Sequence, residues 1–124
     1  MTLTGVFERA VFVRARGLCL AFPETTETPS WRHPNFRAGK KTFCAFEMVS
    51  GRPSNAFRLS PTHVDIALQR KNFFATPYGR GPWVSAFVDD AMDWKLIASL
   101  LERSYRLVAG KRRLGVLDSG RQRN

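Results

Sequence analysis

Four basic side chains, Arg32, Arg37, Lys40 and Lys41, fall within ten residues of one another in the stretch WRHPNFRAGKKTFCAF, residues 31–46. They interleave with Trp31, Phe36, Phe43 and Phe46, and Ala38-Gly39-Lys40 reads as a turn between two short strands. Cations displayed on a hairpin can neutralise the phosphates of a polyanion. Lysines on an edge hairpin can also simply discourage pairing with other chains. Two further arginines, Arg52 and Arg58, leave residues 30–58 with six bases against one acid, Glu47. Arg80 sits in the Pro-Tyr-Gly-Arg-Gly-Pro loop, and Lys111, Arg112 and Arg113 open a second basic region, residues 111–124, whose net charge is +4. Of the chain's formal charge of +10, most is therefore in two places. Such clustering favours a polyanionic partner.

Other chemistry is thin. Nucleophilic catalysis needs a base beside the nucleophile, and the two histidines are poorly placed for it. His33 precedes Pro34 and is biased to extended backbone, and His63 falls in the first turn of a helix. Neither a nucleophile elbow, an HExxH pair nor a phosphate loop occurs, and Gly79-Arg80-Gly81 is too short to cradle phosphate. Asp89, Asp90 and Asp93 are explained as helix-capping acids rather than metal ligands. Cys19 and Cys44 belong to no ligand-spaced cluster and are expected to be buried, reduced thiols. Trp31, Trp83 and Trp94 could stack on bases. Trp94 lies on a core stripe and Trp83 starts a strand, so core or rim positions are expected for both. The reading is a binding protein and not an enzyme, with neither cofactor nor metal.

These residues need a frame to hold them. With 124 residues, 44% apolar and 24% charged, the chain suits one globular domain. No apolar run approaches a membrane span, and the charged N-terminus is unlike a signal peptide, so a cytoplasmic protein without membrane contact is expected. A helix is predicted over 4–22, capped by Thr4 and stopped by Pro23, with apolar residues nearly all round. Arg14 falls among its apolar positions and needs an exit along its stem or an acidic partner. PETTETP, residues 23–29, reads as a loop. Strands follow near 31–37, 41–49 and 56–59; the second is apolar on both faces and so internal. Ser60-Pro61 starts a helix to about Lys71. A brief strand at 73–76, a strand at 83–88 and a helix at 91–109, capped by Asp89 or Asp90, complete the domain. Trp94, Ile97, Leu101, Tyr105 and Val108 form its core stripe, and Gly110 closes it. The order predicts an α+β fold, a two-layer sandwich whose antiparallel sheet carries the N- and C-terminal helices on one face. Residues 4–110 make the domain, and 111–124 a mobile basic tail.

FPETTE, HPNFRAGKKTFCAF, TPYGRGPWV and SYRLVA occur in this order. Together they make residues 6–109 resemble the MmcQ/YjbR family, small bacterial proteins with a CyaY-like, frataxin-like fold. The resemblance implies DNA binding through a double wing, with the Phe36–Phe43 hairpin as first wing and Arg37, Lys40 and Lys41 at the duplex. It departs at Phe22-Pro23-Glu24, where members typically carry Leu-Pro-Gly. Frataxins bind iron through an acidic ridge on the first helix; here that helix has Glu8 against three arginines, and iron is not implied. The expected contacts to a phosphate backbone are Arg37, Lys40, Lys41, Arg52, Arg58 and Arg80, with Lys111, Arg112 and Arg113 from the tail. A monomer binding DNA weakly is expected. The alternative is a regulatory module holding a protein, peptide or small ligand without nucleic acid.

Overall fold

The computed structural model describes residues 6–7, 9–30, 33–77, 81–89 and 92–122. Helix α1 (Ala10–Leu20) is followed by four strands in a meander, β1 (Thr25–Ser30), β2 (His33–Ala38), β3 (Lys41–Val49) and β4 (Arg52–Arg58). Helix α2 (Pro61–Leu68), β5 (Phe73–Ala75), β6 (Trp83–Phe87), α3 (Trp94–Val108) and α4 (Gly110–Gln122) follow among the described residues. The six strands form one sheet in the order β1-β2-β3-β4-β6-β5, every pair antiparallel.

Helices α1 and α3 cover the same face, as the element order predicts. From α1, Phe12 stacks on Phe46 of β3, and Cys19 contacts Cys44. From α3, Tyr105 meets the edge of Phe43 and stacks on Phe22. Strand alternation alone would send Phe43 to the opposite face from Cys44 and Phe46. The β2–β3 register slips instead: Phe36 opposes Cys44 but Arg37 opposes Thr42, leaving Phe43 unpaired. This bulge turns Phe43 to the helices as well, so Phe43, Cys44 and Phe46 all make core contacts from one short stretch.

Caps explain the ends of two helices. Ser60 accepts from the His63 amide at 3.2 Å, with Pro61 at the first helical position. Asp93, rather than Asp89 or Asp90, caps α3, accepting from the Lys95 and Leu96 amides at 3.1 and 3.2 Å. The helix therefore starts at Trp94. Asp90 and the proposed cap Thr4 lie outside the described residues.

Three expectations are corrected. PETTETP is not a loop: Thr25–Ser30 pair along their full length with β2. Threonine suits a pleated strand, and Pro29 is tolerated because β1 is an edge. Helix α1 ends at Leu20 and is more one-sided than its composition suggests, with Val13 and Leu20 exposed and Phe12, Ala15 and Cys19 buried; residues 4, 5 and 8 of the predicted span lie outside the described residues. Residues 110–122 form a helix, with Leu117 buried and Leu114 packed on the core. The predicted residues 111–124 hold no regular element in the sequence reading because five bases mask this Leu114/Leu117 pair.

Of its two expected solutions, Arg14 takes the exit to the surface. It is exposed, and its guanidinium lies over the Trp94 ring, 4.4 Å from the centroid, tying α1 to α3.

Candidate nucleic-acid interface

The β2–β3 turn is made by Gly39 with φ 65°, backbone that favours glycine. Lys40 and Lys41 follow it, both exposed. With β1 on its outer side, this hairpin is internal to the sheet and is not an edge. An edge-protecting role for its lysines is thereby removed.

Helix α4 approaches that turn from the other end of the sequence. Gly110, at φ 82°, ends α3 and starts α4 in a new direction. Arg113, in the first turn of α4, donates from Nη1 to the Ala109 carbonyl at 3.1 Å. Its guanidinium lies directly on Gly39, so close that a Cβ there would be 2.9 Å from Nη2. Arg112 donates from Nη1 and Nη2 to the two oxygens of Glu24, at 2.5 and 2.6 Å. Arg113 Nε is 3.5 Å from the same carboxylate. The Arg112 guanidinium holds the Glu24 carboxyl below its usual range. Glu24 is itself fixed from beneath, because Tyr105 Oη donates to the Pro23 carbonyl at 2.8 Å.

Lys40, Lys41, Arg112 and Arg113 thus come together around one turn, with Lys111 in the same helical turn as Arg112. The hairpin and the tail, read from the sequence as two separate contacts, form one patch. Glu24 within it was missed. Its signal was the departure at Phe22-Pro23-Glu24, where the backbone takes φ 53° although the residue is not glycine.

The remaining expected residues divide. Arg37 and Arg58 lie on the sheet face opposite the helices, because Phe36 and Phe57 face the helices and their neighbours alternate away. Arg37 is half-buried, its Nε without a hydrogen-bond partner. Arg52 is six residues along β4 from Arg58, roughly 20 Å away at strand spacing, and its guanidinium lies over Phe87, 3.9 Å from the centroid. It is not part of the patch. Arg80 lies outside the described residues, as do Trp31 and Arg123.

The far end of α4 is held by ion pairs. Glu102 accepts from Arg106 at 3.0 Å and from Arg121 at 2.6 and 3.0 Å, and Arg106 also reaches Asp118 at 2.8 Å. The hydrogen bonds from Arg121 bring the Glu102 carboxyl down to about 2. Arg121 is therefore spent on α3.

Ser60 and His63 are close enough to suggest a nucleophile and base, with Oγ 2.7 Å from Nδ1. Their polarity is wrong for it. Arg103 Nη1 lies 3.1 Å from His63 Nε2 and can only donate. The ring proton then sits on Nδ1 and is donated to Ser60, which caps α2. Among the described residues, no three His, Cys, Asp or Glu side chains group to hold a metal ion. No helix among them is long and apolar enough to cross a membrane. A concavity of about 400 Å³ lies away from the patch, lined by Arg70, Lys71, Phe73, Phe87, Met92 and Leu96 among others.

Residues 20–107 match the family model YjbR. The chain belongs to the YjbR family. Solved structures agree on the fold. A crystal structure of a Pseudomonas syringae protein superposes with a TM-score of 0.64 at 15% identity, covering 74% of this chain and 93% of its own. A Deinococcus radiodurans protein with a DUF419 domain gives 0.68 at 19% identity, covering 77% and 76%. No curated protein matches the chain. The YjbR match ends at residue 107, before α4, so the helix that completes the basic patch lies beyond it.

Proposed function

We propose that this YjbR-family domain is a nucleic-acid-binding module that grips the phosphate backbone of DNA. It would use Lys40 and Lys41 of the β2–β3 turn with Lys111, Arg112 and Arg113 of α4, while Arg37 and Arg58 offer a weaker second surface. The observation that carries this reading is Arg113 seated on Gly39, which joins two basic segments seventy residues apart in sequence. A second feature supports it. The first turn of α4 has three bases and no acid, although the positive end of a helix dipole disfavours cations. Cations gathered where they repel the helix dipole suit a site for an anion. The polarity of the Ser60–His63 contact favours a binding module over an enzyme. Base reading is not implied, since nothing in the patch presents side chains to a groove at helical spacing. Binding should therefore be weak, with a dissociation constant of about 10⁻⁴–10⁻⁶ M at physiological salt. An NMR titration with an arbitrary duplex should shift the amides of Gly39–Lys41 and Lys111–Arg113 first. Shifts centred elsewhere would reject this interface.

One observation favours a different reading, a small-ligand module. The 400 Å³ concavity has an apolar floor, with Arg70 and Lys71 as well as Asp89 and Asp93 in its lining. In the same NMR experiment, a small apolar carboxylate such as phenylacetate would move Phe73, Phe87 and Leu96 under this reading and leave the patch unmoved.

A further inference from the structure

We infer that Glu24 is the patch's resident anion, holding the guanidinium positions an incoming phosphate needs, so that binding proceeds by displacing it and Glu24 sets the affinity. The identity of the incoming anion rests on the nucleic-acid reading above; the competition itself does not.

A carboxylate facing Arg112 through two parallel hydrogen bonds makes the same fork that a phosphate would make. Its second neighbour, Arg113, is the residue that touches the hairpin turn. Glu24 thus sits where the two basic segments meet. It is also held there: its backbone is left-handed, and the preceding carbonyl is fixed by buried Tyr105. A phosphate at Arg112 would meet this carboxylate at close range, and like charges so near repel. The side chain must swing out, which its exposure allows, while the backbone stays. In the unbound protein Glu24 offsets the repulsion among the α4 bases and the helix dipole. Arg112 is then already neutralised, and its engagement with phosphate adds little to the count of counterions released.

The test compares wild type with Glu24→Gln and Glu27→Gln. Glu27 is three positions along β1 and pairs with Arg16 at 2.8 Å, so its replacement changes net charge equally while leaving the patch untouched. For duplex binding, Glu24→Gln should steepen the slope of log K against log salt by about 0.9, one further phosphate contact, and tighten binding about five- to tenfold near 0.1 M salt. Glu27→Gln should stay within about twofold of wild type. Elution from heparin, a polyanion that is not nucleic acid, should rise for Glu24→Gln alone. Glu24→Gly, which the left-handed backbone favours, should behave as Glu24→Gln and covers the chance that Gln disturbs the loop. Equal gains for the two Gln variants would overturn the inference, since net charge would suffice. A loss on replacing Glu24 would overturn it too, because the carboxylate would then be holding Arg112 ready. If no protein binds duplex but heparin elution shifts for Glu24→Gln alone, Glu24 is the resident anion and the nucleic-acid reading fails. Unchanged heparin elution would sink the inference whatever the duplex data show.

Discussion

Tyr105 shows how one side chain joins core and surface. It is fully buried, packs on Phe22 and Phe43, and reaches the Pro23 carbonyl beside Glu24. The sequence places it correctly on the α3 stripe, though it suggests Trp94 as an equal anchor. Trp94 is only partly buried, with Arg14 over its exposed side, so its truncation should cost less. Tyr105→Ala should lower stability by about 3–5 kcal/mol. Tyr105→Phe removes only the hydroxyl and should cost about 1 kcal/mol. Denaturant titrations would read both, and a Phe cost as large as the Ala cost would mean that the ring packing matters little. The thiols give a second check. Burial and the contact with Cys19 push the Cys44 thiol well above its usual range, which disfavours the reactive thiolate. Cys19 and Cys44 are both free and buried. A thiol reagent should label neither in native protein and two on unfolding; fast native labelling would contradict the packing of α1 on β3.

Among the elements, those with strong local signals were legible. Strand β3 was read as Lys41–Val49 and as internal, the Ser60-Pro61 start of α2 was plain, and the α3 stripe fixed its buried face. Two of the misreadings share a cause: the deciding interaction was distant. Strand β1 is polar, and only its pairing with β2 makes it a strand. Helix α4 is rich in bases that local rules assign to solvent, and carboxylates from elsewhere hold it: Glu24 before β1 and Glu102 on α3. That attachment has a pH signature. A carboxylate whose folded pKa is depressed stabilises the bound form above its unfolded pKa and loses that contribution as pH falls. For Glu102 the window runs from near 4.5 down to about 2. The α4 amide signals should hold their shifts at pH 5 and move across that window, and in Glu102→Gln they should already be displaced at pH 5. Signals unchanged down to pH 2 would mean that Leu114 and Leu117 hold the helix without the ion pairs.

At the scale of the whole molecule, a twisted antiparallel sheet with helices on one face brings remote basic segments to one corner. The sequence displayed the charges but not their meeting, because no local pattern reports that residue 113 lies on residue 39. The central claim is that hairpin and α4 act as a single phosphate-binding patch. It is tested most directly by duplex titrations over a range of salt with wild type, Lys40→Ala/Lys41→Ala, Lys111→Ala/Arg113→Ala and the four changes together. With roughly four phosphates neutralised, the wild-type slope of log K against log salt should be near −3 to −4, each pair of changes should flatten it by about 1–2, and the fourfold variant should scarcely bind. Normal binding by the hairpin variant, with binding lost in the α4 variant, would contradict the account and leave α4 as an isolated basic helix.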